Sequence, residues 1–127
     1  MILVDTSVWI EFFKVHEPWH TSLTMLLEER QVTTLECIFG ELLQGAKSHK
    51  EVNFILEYWN YLNKIDVENL WIEGGKLSFK NKFISKGVGL IDIVILCAAV
   101  NSHSKLWTLD QKLLNVCPVE FQYQSLN

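Results

Sequence analysis

At 127 residues, 49% apolar and 20% charged, the chain has the size and make-up of one globular domain, residues 1–127, around one core. Eleven basic residues against fifteen acidic ones give a net charge of −4, so bulk charge does not draw nucleic acid; neutralising four carboxylates would remove most of that excess. No apolar run is long enough to span a membrane, Met1 to Asp5 lacks the marks of a secretion signal, and Cys37, Cys97 and Cys117 show no paired spacing, so the sequence reads as a cytoplasmic protein with reduced thiols.

Ile2-Leu3-Val4 is a short apolar, β-branched run and predicts a buried strand. Asp5-Thr6-Ser7 follows as a helix start, and Val8, Trp9, Phe12 and Phe13 recur at helical spacing. Trp19, Leu23, Leu26 and Leu27 mark a second amphipathic helix that opens at Pro18. Gln31-Val32-Thr33 predicts a second strand, and Thr33 and Glu36 have the spacing of a capping box. Leu35, Ile38, Phe39, Leu42 and Ala46 then line one helical stripe with Glu41 on its flank. Ser48 and Glu51 repeat the box spacing ahead of a helix with Val52, Ile55, Leu56 and Trp59 inward. Leu62 to Val67 holds a weaker strand. Residues 68 to 86 predict one long helix carrying Lys76, Lys80, Lys82 and Lys86, ended by Gly87-Val88-Gly89. Ile91 to Val100 predicts a buried helix with Asp92 in its first turn. Leu106 to Leu109 is a further strand, and Val119-Glu120-Phe121 a candidate to close the sheet. Strands alternating with helices imply an α/β fold with a central parallel sheet of four to five strands flanked by helices.

Asp5, Glu41, Asp92 and Asp110 stand where strand-like runs meet helix-like runs. The chain has four aspartates, and three of them occupy such junctions. Each acid alone has a bland role, as a helix cap, a complement to the helix dipole or a solvated helix face. Topology links them, because strand C-terminal ends share one rim in a parallel sheet. Carboxylates gathered there repel one another unless a cation sits between them. Oxygen donors without nearby His or Cys suit Mg²⁺ or Mn²⁺, which can lower the pKa of a water and neutralise charge on a phosphodiester.

His16-Glu17-Pro18-Trp19-His20 matches the HExxH zinc-protease spacing, but Pro18 breaks the continuous helix that motif needs, so the segment reads as a polar loop between helices. No phosphate-binding glycine loop and no nucleophile elbow appears. The five tryptophans (9, 19, 59, 71 and 107) fall mostly on apolar faces and read as core, with some available to line a partner groove.

Four blocks in order, Asp5-Thr6-Ser7-Val8-Trp9-Ile10, Gly40-Glu41-Leu42-Leu43-Gln44-Gly45, Gly89-Leu90-Ile91-Asp92 with Ala98-Ala99, and Leu106-Trp107-Thr108-Leu109-Asp110, resemble the PIN domain, most closely the VapC-type toxins of toxin–antitoxin pairs. The resemblance spans essentially the whole chain. It implies a Mg²⁺-dependent endoribonuclease, with Mn²⁺ able to substitute. It carries the metal-binding quartet onto Asp5, Glu41, Asp92 and Asp110, and gives Thr108, with Thr6 beside it, the task of orienting a carboxylate or water. It also implies an RNA substrate, a homodimer and an antitoxin whose tail blocks the site. Lys14, Lys47, Lys50, Lys80, Lys82 and Lys86 are the candidate phosphate contacts. A nuclease acting on DNA or a structured flap, and a non-catalytic interaction module, are the alternative readings.

Overall fold

In the computed structural model, residues 1 to 125 are described. Four short strands form one parallel sheet: β1 (Ile2–Val4), β2 (Val32–Thr34), β3 (Asn63–Lys64) and β4 (Lys105–Trp107), in the spatial order β3-β2-β1-β4. Leu3 pairs with Thr33 on one side and Leu106 on the other. The central strand β1 is the wholly apolar one, as a strand covered on both faces must be. The edge strand β3 is two residues long, and both are exposed.

Among the described residues six helices supply the crossovers, α1 (Thr6–Phe13), α2 (Trp19–Glu28), α3 (Glu36–Gln44), α4 (His49–Tyr61), α5 (Leu70–Asn81) and α6 (Leu90–Asn101), and a seventh, α7 (Gln111–Val116), follows β4. Helix α1 packs on α2 and α3, α3 on α4, and α5 on α6. Helix α6 is apolar on all sides because it is buried on all sides: Ile93 through Ala99 are inaccessible or nearly so, as expected of a core helix. Truncating Ile93 or Ile95 to alanine would cost about 2–5 kcal/mol. Gly74 of α5 permits the close approach, since a Cβ there would stand 3.2 Å from Val94 Cγ2.

Several local expectations are corrected. Thr33 does not open a capping box, because its hydroxyl donates across the sheet to the Asn63 carbonyl at 3.1 Å and Leu35 is the N-cap of α3. The stretch from 68 to 86 is two pieces: α5 ends where Lys82 adopts a left-handed conformation, and a 3-10 turn (Phe83–Lys86) follows. Val119-Glu120-Phe121 is a second 3-10 turn rather than a strand, and only Gln122 bridges to Leu106. Among the described residues the sheet therefore stops at four strands. The Ser48 expectation holds in modified form: Ser48 caps α4 by accepting from the Glu51 N–H, while Glu51 reaches back to the N–H of Lys47 instead of that of Ser48.

Candidate metal centre

The C-terminal ends of β1 and β4 adjoin, and the chain leaves both strands into helices at one rim. Asp5 lies one residue beyond β1, and its N–H donates to the Trp107 carbonyl at 2.9 Å, which extends the β1–β4 ladder to the rim. Asp5 is buried, at 5% exposure. It occupies the N-cap position of α1, yet its side chain caps nothing. Its Oδ2 instead accepts two hydroxyls, Thr108 Oγ1 at 2.6 Å and Ser7 Oγ at 2.9 Å. The same hydroxyls also accept: Thr108 from the Asp110 N–H at 3.1 Å, and Ser7 from the Leu109 N–H at 3.0 Å. The network stitches the β1–α1 junction to the β4–α7 junction and leaves Asp5 Oδ1 without a donor among the described residues.

Asp110 does act as a cap. Its Oδ1 accepts from the N–H groups of Lys112 at 2.9 Å and Leu113 at 3.4 Å, leaving Oδ2 free. Glu41 is exposed on α3, and its Oε1 accepts the Thr6 hydroxyl at 2.8 Å. Asp92, half-buried in the first turn of α6, has no side-chain hydrogen bond among the described residues. Each acid thus keeps at least one carboxylate oxygen available.

The four charges are felt in one place. Asp92 is pushed up from 3.8 to about 6, first by burial and then by Asp5, Asp110 and Glu41 in that order. Cations do not relieve the repulsion: among the described residues the ion pairs are Glu11–His16, Glu17–His20 and Glu73–Lys76, none of them at this rim. Cys37 on α3 feels the same charges; its thiol is pushed up to about 11 by burial, Glu41 and Asp5, against backbone hydrogen bonds that lower it. Unpaired acids with spare oxygens form a donor set that fits a hard divalent cation. Among the described residues no three His, Cys, Asp or Glu side chains are already drawn around one point as ligands. Taking up an ion would therefore require side-chain rotation, most freely by the less constrained Glu41 and Asp92.

The geometry brings together Asp5, Asp92, Asp110 and Glu41, with Thr108 on Asp5 and Thr6 on Glu41. Sequence reasoning missed Ser7, which looked like part of a helix start; its sole signal was its position two residues after a strand-end aspartate. His16 lies in the connection between α1 and α2 and His20 in the first turn of α2, and the two pair with separate glutamates; the helix is interrupted between them, but the polar loop ends at Pro18, since Trp19 and His20 belong to α2. Of the candidate phosphate contacts, Lys14 and Lys47 line a groove of about 380 Å³ that Glu41 also borders, with Ile10, Phe13 and Phe54 as its apolar walls.

A family model described as PIN domain matches residues 2–117. The chain is 29% identical over 118 residues to Ribonuclease VapC32 of Mycobacterium tuberculosis, covering 92% of this chain and 90% of that protein. Among solved structures, VapBC2 from Rickettsia felis, bound to a promoter DNA fragment, superposes with a TM-score of 0.73 at 19% identity over the full length of both chains. A toxin–antitoxin complex from Klebsiella pneumoniae gives 0.75 at 19% identity, covering 97% of this chain and 100% of that one.

Proposed function

The chain belongs to the PIN domain family, and from that premise we propose that it is a Mg²⁺-dependent endoribonuclease, the toxin of a toxin–antitoxin pair. The observation that carries this reading is the set of four carboxylates without a cationic partner among the described residues, in which Asp92 is raised first by burial and then by the charges of Asp5, Asp110 and Glu41. The ribonuclease relative supports RNA as the substrate.

Asp5, Asp92 and Asp110 would hold Mg²⁺ or Mn²⁺, with Glu41 completing the set. When bound, such an ion lowers the pKa of a water and neutralises charge developing on the phosphodiester. The protein's own part is orientation. Thr108 and Ser7 fix Asp5 through Oδ2 and leave Oδ1 to bind an ion at little further entropic cost. The α7 cap fixes Asp110 in the same way. Glu41, tethered only by Thr6, is the acid free to accept a proton from the attacking water.

The groove beside Glu41 supports a protein partner, since Ile10 and Phe54 are 40% and 48% exposed along it. An antitoxin segment lying there would reach Glu41 and shut the site. Trp71 and Ile72, also well exposed beside a cleft lined by Leu35, Cys37 and Val67, support pairing with a second copy of the chain. Among the described residues no helix is long and apolar enough to cross a membrane, which is compatible with a cytoplasmic location.

The test is cleavage of labelled RNA and DNA of the same sequence with Mg²⁺, Mn²⁺ or a chelator. Cutting of RNA alone, abolished by chelation, is the expected result. Chelator-resistant cutting or a preference for DNA would overturn the reading.

A further inference from the structure

Lys112 was not among the lysines singled out as phosphate contacts, yet its backbone is bonded to the acid rim. It lies in the first turn of α7, and its own N–H is one of the two that hold Asp110 Oδ1. Its side chain runs along Gly87. A Cβ built on Gly87 would stand 3.3 Å from Lys112 Nζ, 3.4 Å from Cδ and 3.5 Å from Cε. Gly87 has φ of 76°, a conformation that disfavours any side chain, so the backbone leaves an open track for the lysine stem. That track ends the 3-10 turn holding Lys86 and lies two residues before Gly89, the N-cap of α6. The ammonium is thus held between the segment leading to Asp92 and the helix capped by Asp110.

Lys112 is exposed and, among the described residues, has no acidic partner, and the same is true of Lys82 and Lys86; by contrast Lys76 pairs with Glu73 at 3.5 Å. A lysine laid along a glycine track beside an acidic pocket, but not spent on it, is suited to an anion from outside. A pocket of carboxylates repels a nucleic-acid backbone, so productive binding needs cations at its border. Resting on the ribonuclease reading, we infer that Lys112 grips a backbone phosphate of the RNA on the Asp92–Asp110 side of the site, with Lys86 as an outer contact. Lys14 and Lys47 flank the Glu41 side, and the strand is drawn across the acids between the two pairs. Part of the rotamer freedom that a lysine loses on gripping a phosphate is already given up along Gly87.

The experiment uses the Asp92→Asn protein, which is expected to leave RNA uncut, and a short fluorescein-labelled single-stranded RNA read by anisotropy across a salt series. Adding Lys112→Met keeps the stem against Gly87 and removes the charge. It is expected to weaken binding about three- to tenfold and to flatten the slope of log affinity against log salt by about 0.7, the loss of one phosphate contact. Lys112→Arg should restore both, and the melting temperature should not change. Acetylation mapping on the unsubstituted protein, with divalent ions chelated, adds a check that needs no variant: RNA should shield Lys112 severalfold and leave Lys105, at the opposite end of β4, unshielded. Unchanged affinity and slope in Lys112→Met, or equal labelling of Lys112 with and without RNA, would overturn the inference alone, because the ribonuclease reading is judged by cleavage. Absence of RNA binding by the Asp92→Asn protein at low salt, together with no cleavage by the unsubstituted protein, would remove both.

Discussion

The two acids at strand ends and the two carried on helices are built differently. Asp5 and Asp110 each have one carboxylate oxygen held by two protein donors. Among the described residues Asp92 has no side-chain donor, and exposed Glu41 has one. The strand-end pair sits where the β1–β4 ladder runs out, so its position follows from the most rigid part of the sheet. The helix-borne pair can swing. A fixed half sets where an ion would sit, and a mobile half supplies charge that can close around it.

The largest effect should come from the fixed half. Asp5→Asn keeps an oxygen for the Thr108 hydroxyl but loses the charge, and should lower RNA cleavage by about a hundredfold or more. Substantial cleavage by this variant would break the comparison at its stronger end. Asp92→Asn should also abolish cleavage, but with a different signature in stability. Unfolded, Asp92 loses its proton near 3.8; folded, near 6. The native state therefore holds the extra proton between those values. Its stabilising contribution is complete below about pH 4, declines as pH rises through 6, and is absent above that. After allowing for solvent screening, the ionised group costs on the order of 1 kcal/mol. Without divalent ions, Asp92→Asn should thus melt about 3–5 °C higher at pH 7.5 and no higher at pH 4. A gain at pH 4 equal to that at pH 7.5 would show that repulsion is not its source.

The hydroxyls sharpen the contrast. Thr108→Val strips a buried donor from Asp5 and should cost about 1–2 kcal/mol in denaturant unfolding and about ten- to a hundredfold in cleavage rate. Thr6→Val, on exposed Glu41, should cost under about 0.5 kcal/mol and only a few-fold in rate. The reverse ranking would mean that the helix-borne side is the rigid one.

Three of the acids were legible in the sequence because each adjoins an apolar run, Asp5 and Asp110 after strands and Asp92 ahead of a helix, whereas Glu41 lies within α3 on the flank of its apolar stripe. Ile2-Leu3-Val4 can only be a central strand here, which carries Asp5 to the rim, and the unbroken apolar stretch after Asp92 can only be a core helix. Polar contacts across the sheet were not legible. The Thr108 bond to Asp5 and the Leu109 N–H bond to Ser7 depend on β4 arriving beside β1, and Thr33 turned from a helix cap to a cross-strand donor because β3 lies next to it. Spacing along the chain reports neighbours on one element and is silent about neighbours on another. The break at Lys82 was hidden for a related reason: helical spacing of apolar residues continues across it, while a lysine takes up the left-handed conformation usually left to glycine.

The claim beneath all of this is that carboxylates from four separate elements share one divalent ion. Thermal unfolding during Mn²⁺ titration at pH 7.5 tests it directly. The account predicts a saturable rise in melting temperature for the unsubstituted protein and its loss in both Asp5→Asn and Asp92→Asn. No rise, or a rise that survives both substitutions, would contradict it.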